Sequence, residues 1–125
     1  MQDITPTLKS GKKVIESYGG GGFKISGTKY DFNVIVLPDS LYKFEVADIE
    51  NAQNHTLSPI IENAEEIEVL LVGCGDSVKF FPEEIEKMLK EKRINVEYMN
   101  TGAAARTYNV LLTEERKVAV VLIAV

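Results

Sequence analysis

The chain has one cysteine, one histidine and no tryptophan. A lone thiol excludes an intrachain disulfide framework and fits a reducing compartment. The single histidine, His55, has no second imidazole and no nearby thiol with which to build a metal site, so neither metal nor cofactor is expected. Basic charge is also scarce: 14 Lys and Arg stand against 19 Asp and Glu, a formal net charge of −5. Between Phe44 and Val78 there are eight acidic residues and no Lys or Arg. Such a face repels nucleic acid and anionic lipid, and no basic stripe exists elsewhere to offset it. Long apolar runs are missing as well. Val118 to Val125 is the longest, at eight residues, whereas a helix needs about 20 to cross a bilayer. The first residues lack the charged-then-apolar order of a secretory leader. These absences point to a cytoplasmic protein without nucleic acid or membrane insertion.

What remains is ordinary globular material. At 125 residues and 45% hydrophobic content, one domain spanning 1–125 can bury a core without staples. Residues 1–12, with Pro6 and Gly11, are expected to be a loosely ordered lead-in. Val14 to Tyr18 reads as a short strand ending at Gly19-Gly20-Gly21-Gly22. Phe23 to Ser26 and Lys29 to Leu37 read as the arms of a hairpin, with Gly27-Thr28 as a type II′ turn. In the second arm Tyr30, Phe32, Val34 and Val36 alternate with Lys29, Asp31, Asn33 and Ile35, placing the first set on the core. Pro38-Asp39-Ser40 stops that arm. An irregular acidic connection follows, with a short strand expected at Lys43 to Ala47. Ser58 as a hydroxyl cap and Pro59 as a first helical residue begin a short helix.

From Glu68 onward the periodicity alternates between strand and helix. Strands are expected at Glu68 to Val72, Asn95 to Met99 and Lys117 to Ile123. A helix opens at Pro82 with Glu83 and Glu84 favouring its dipole, and Phe80 is expected to staple onto Ile85. A second helix follows Asn100, burying Ala104, Tyr108, Leu111 and Leu112. Right-handed crossovers make this a parallel β-α-β-α-β unit. The corners Gly73-Cys74-Gly75 and Asn100-Thr101-Gly102 then lie side by side at the strands' carboxyl edge.

That edge is the candidate site. Thr101 can cap the helix, Gly102 with the three alanines Ala103, Ala104 and Ala105 leaves no bulk to block a ligand, and first-turn amides attract negative charge. Arg106 stands early in a helix, where a cation opposes the dipole, and its side chain leans back toward the mouth of the corner. An anionic ligand there is one reading. The other is a tight turn in which Arg106 pairs with an internal carboxylate such as Asp76, or with carbonyls at a neighbouring strand end. A helix terminus and one charged hydrogen bond together reach only about millimolar affinity, so a small anion would need the surrounding pocket. Cys74 reads as a small buried residue unless a cation activates it. His55 reads as a loop residue, and Gly19 to Gly22 lacks the Lys-Ser/Thr ending of a phosphate loop.

Four segments resemble one family in order and content: Tyr18-Gly19-Gly20-Gly21-Gly22-Phe23, Val36-Leu37-Pro38, Leu71-Val72-Gly73-Cys74-Gly75, and Asn100 to Asn109. The last, Asn-Thr-Gly-Ala-Ala-Ala-Arg-Thr-Tyr-Asn, is the most specific. The chain is similar to the Mth938-like domains of unknown function from Val14 onward. This resemblance implies a three-layer α/β domain, a parallel β-α-β-α-β core with an added N-terminal β-hairpin layer. It implies no established enzymatic activity, and its mitochondrial branch works through protein–protein assembly. The family often has Thr where this chain has Cys74, and some members have Cys where it has Ala105, so thiol chemistry is not a family trait. The expected function is a non-enzymatic interaction or assembly module with a protein partner and a small-anion pocket formed by Gly73, Cys74, Gly75, Asn100, Thr101, Gly102, Ala103 and Arg106. A homodimer falls within that expectation. The alternative is an enzyme for a small anionic metabolite, with Arg106 holding substrate and Cys74 or Tyr108 near the chemistry.

Overall fold

The computed structural model describes residues 1–6 and 11–125. Among them run strands β1 (Gln2–Asp3), β2 (Ile15–Gly19), β3 (Gly22–Ile25), β4 (Thr28–Tyr30), β5 (Val34–Leu37) and β6 (Ser40–Lys43). The helix α1 (Ser58–Glu62), β7 (Val69–Gly73), α2 (Glu83–Glu91), β8 (Asn95–Met99), α3 (Thr101–Thr113) and β9 (Val118–Leu122) complete the order. Two sheets result: an antiparallel β1-β2-β3-β4, and a mixed sheet of order β6-β5-β9-β7-β8. In the mixed sheet β7 runs parallel to both β8 and β9, while β5 is antiparallel to β9.

The mixed sheet is the central layer because both its faces are apolar. Leu70, Val72, Ala119 and Val121 face a core closed by Leu57, Ile60, Ile85 and Leu89 from the helical side. Leu71, Val118, Val120 and Leu122 face a second core made with Ala104, Tyr108 and Leu112 of α3 and with Ile15, Phe23 and Ile25 of the small sheet. Strands covered on both sides read as continuous apolar runs, as β7 and β9 do. The three layers and the added antiparallel sheet agree with the expected α/β architecture.

Several local expectations are corrected. The lead-in contributes a strand, since Gln2 and Asp3 pair with Tyr18 and Ser17; its residues 7–10 lie outside the described residues. The second hairpin turns at Ser26-Gly27, not Gly27-Thr28, because Thr28 already pairs with Ile25. Both turn residues have positive φ, 45° and 87°, the type I′ form that follows right-handed strand twist. Ser26 tolerates it because its Oγ accepts the Val14 N–H at 3.0 Å, tying the turn to the preceding loop. Gly20 and Gly21, also at positive φ, make the equivalent turn between β2 and β3.

The stretch from Lys29 to Leu37 is two strands in different sheets. At the junction the Asn33 side chain donates to Val46 O and accepts from Ala124 N, both at 2.7 Å. Ile35, expected on the outer face, is buried with the rest of β5 because both faces of that strand are covered. The strand expected at Lys43 to Ala47 is instead β6, which turns at Pro38-Asp39 with Leu37 opposite Ser40. Ser58 does not cap α1; its hydroxyl donates to His55 O. The buried aromatic ahead of α2 is Phe81, while Phe80 is 59% exposed and rests against the Tyr98 ring with centroids 4.8 Å apart.

Candidate functional site

The two glycine-bearing corners do meet at the carboxyl ends of β7 and β8, but they lock onto each other. Cys74 N–H donates to Met99 O at 2.9 Å, and Thr101 N–H donates to Gly75 O at 3.0 Å. The Thr101 hydroxyl accepts Gly75 N–H at 2.9 Å and donates to Ile123 O at 2.6 Å. One fully buried side chain thus ties the ends of β7 and β9 to the start of α3. The cap is Asn100, whose Oδ1 accepts Ala103 N–H at 2.8 Å. The expectation that Thr101 caps the helix is therefore corrected: its hydroxyl serves the strand ends, and asparagine is an equally good cap.

Amides committed to protein oxygens are not available to an anion. Nor is the room around the corner empty. A Cβ on Gly73 would come within 3.1 Å of both Ala104 Cβ and the Thr101 backbone, so that glycine serves close packing of α3 on β7. Above Gly102 lies the Tyr18 ring, whose hydroxyl would stand 2.6 Å from an added Cβ. Ala103 completes the first turn, and Gly75 takes a φ of +92° that lets the corner close.

Arg106 does lean back one turn, as expected, and its Nη1 donates to the Tyr18 hydroxyl at 2.8 Å. The expected alternative, pairing with Asp76, does not occur; among the described residues no carboxylate lies within 4.0 Å of Arg106. Its exposed guanidinium borders a shallow cavity of about 560 Å³ lined by Ile4, Pro6 and Val110. Tyr18 is the residue that sequence reasoning missed. Its signal was its place before the four glycines, which made it look like a strand end rather than a neighbour of α3.

Cys74 is 4% exposed, and its Sγ donates to Lys79 O at 3.1 Å. It belongs to the core on the α2 side, whereas Tyr108 belongs to the core on the α3 side. The central sheet separates them, so they do not form one reaction centre. The Tyr108 hydroxyl donates to Lys13 O at 3.0 Å, and burial pushes its pKa well above the usual tyrosine value. His55 lines a separate cavity of about 770 Å³ with Glu50, Gln53 and Glu84. Among the described residues no group of three or more His, Cys, Asp or Glu could hold a metal ion. No described helix is long and apolar enough to cross a membrane.

The close fit of Tyr18 over Gly102 yields a double-mutant prediction. Gly102→Ala should lower stability by about 1–3 kcal/mol through overpacking. In a Tyr18→Ala background the same substitution should be neutral or better, since alanine favours the helix. Urea unfolding of the four proteins measures this, and equal costs in both backgrounds would refute the contact.

Residues 15–123 match the family model described as a protein of unknown function, DUF498/DUF598. The NADH dehydrogenase [ubiquinone] 1 alpha subcomplex assembly factor 3 of Xenopus tropicalis is 33% identical over 87% of this chain and 60% of its own length. The chain thus spans about three-fifths of that curated relative. A crystal structure described as an outer membrane protein from Bartonella henselae is 39% identical, with a TM-score of 0.84, covering 91% of this chain and 96% of that one. A Bordetella pertussis protein described as an Mth938-like domain shares the fold at a TM-score of 0.81 and 23% identity, covering 98% of this chain and 92% of its own. With its interlocked corners, its three layers and a match over nearly all its length, the chain belongs to the DUF498/DUF598 family of Mth938-like domains.

Proposed function

We propose that this chain is a non-enzymatic interaction module that docks on a protein partner through the surface around Arg106. The observation that carries this reading is an exposed guanidinium without a carboxylate partner among the described residues, placed beside an exposed apolar side chain, Val110 at 55%. A guanidinium that donates to a tyrosine hydroxyl instead of a carboxylate leaves its remaining N–H groups for an incoming acceptor. An adjacent apolar contact supplies burial that a lone surface charge lacks. The assembly-factor name borne by relatives 33% identical to this chain supports the same role. The anion is then a carboxylate on the partner, or a small anion occupying its place; the single thiol accords with a cytoplasmic setting.

Capture of partners from native cells with the intact chain, Arg106→Glu and Val110→Asp tests this. The intact chain should retain a defined partner, and each variant should lose most of it; interface anchors of this kind are worth about 2 kcal/mol or more. Recovery of no partner above background, or equal recovery by all three proteins, would overturn the reading. A thermal-shift series with carboxylate and phosphate salts, repeated on Arg106→Ala, separates a small-anion site from a protein contact.

A further inference from the structure

We propose that the outer edge of β8 takes up an extended segment of a partner protein in which apolar and basic residues alternate. β8 ends the mixed sheet, with β7 its only strand neighbour among the described residues. Asn95 N–H donates to Glu68 O, and Met99 O accepts from Cys74 N–H. In a parallel pair the N–H and C=O of one residue point the same way. Residues 95, 97 and 99 therefore address β7, and the backbone groups of Val96 and Tyr98 point outward. An added strand can pair with both.

The side chains beside this edge define the occupant. Val96 and Tyr98 lie on the α2 face, where Phe80 stands exposed against the Tyr98 ring. Glu97 lies on the opposite face with Met99, and it is exposed. Among the described residues Glu97 has no cation within 4.0 Å. A segment pairing with Val96 and Tyr98 puts the residues opposite them on the Phe80 side, where apolar side chains are covered. The residue between them falls beside Glu97, where a Lys or Arg is matched. A second copy of this chain fits less well. Antiparallel pairing of Val96 with Tyr98 of a second copy would set Glu97 against its own equivalent, and like charges directly opposed destabilise a strand pair.

This surface extends the interaction-module reading without using Arg106. The test titrates the ¹⁵N-labelled full chain with a peptide of about seven alternating lysine and valine residues, an ordinary strand length. Saturating peptide should slow hydrogen exchange at the Val96 and Tyr98 amides. Glu97→Lys should weaken binding by about tenfold, and a backbone N-methylated peptide should not bind. The proposal is overturned by shifts spread over the acidic face without protection of those two amides. It is equally overturned by unchanged affinity of the methylated peptide, or by sedimentation showing dimers with the two amides already protected. Failure here with capture by the Arg106 surface intact removes the β8 surface alone; peptide binding with capture lost removes the Arg106 reading alone.

Discussion

Tyr108→Ala is expected to be among the most damaging single substitutions in the chain. Tyr108 is fully buried, between α3 and the sheets on that side of the molecule. Truncating a buried aromatic to alanine costs about 3–5 kcal/mol. For a domain of this size that lowers the melting temperature by roughly 10–20 °C. Tyr108→Phe keeps the ring and leaves only Lys13 O without its donor, which costs about 1–3 kcal/mol. Calorimetry on both variants separates packing from hydrogen bonding, and equal losses would show that the ring is not what holds this core. Burial also raises the pKa of Tyr108 and of Tyr98 in the folded state. The unfolded chain releases these phenolic protons first, near pH 10. The stability they confer is complete below that pH and is lost as pH rises above it. Urea unfolding between neutral pH and pH 11 should show this decline, and Tyr108→Phe should reduce it.

Thr101→Val is expected to cost about 2–5 kcal/mol although it barely changes side-chain volume. It removes an acceptor from Gly75 N–H and a donor from Ile123 O, leaving two buried backbone groups unpaired. Thr101→Ser retains the hydroxyl and should recover more than half of the loss. A valine variant as stable as the parent would mean that water or a backbone shift satisfies both groups. Because the threonine ties the ends of β7 and β9 to α3, the loss should also speed amide exchange at Gly75 and Ile123 first.

How far the site was legible can be followed residue by residue. Asn95 to Met99 is a strand over its whole expected span, and the Asn100 corner starts α3 where the sequence places it. That the two corners meet follows from β-α-β order and crossover handedness alone. What they do on meeting does not. Thr101 and Asn100 are both good caps, and only the position of Ile123 O and Gly75 N–H decides that asparagine caps while the threonine hydroxyl serves the strand ends. Tyr18 lies 88 residues from Arg106 along the chain, so no local pattern shows that its ring fills the space above Gly102. Asn109 is a comparable case. It lies on a helix, yet its side chain exchanges hydrogen bonds with both backbone groups of Ile15, standing in for a strand partner.

By itself the sequence determined the class of fold, its parallel β-α-β-α-β unit and the placing of a cation against a helix dipole. These depend on periodicity, caps and short connections, which are properties of neighbouring residues. Only the tertiary structure decided that the glycine corners close on one another, that Cys74 and Tyr108 lie on opposite faces of the sheet, and that Arg106 rests on a tyrosine. Those outcomes depend on which buried donors and acceptors remain after the layers pack. Residues far apart in the chain settle that together, each satisfying the backbone groups the others leave exposed.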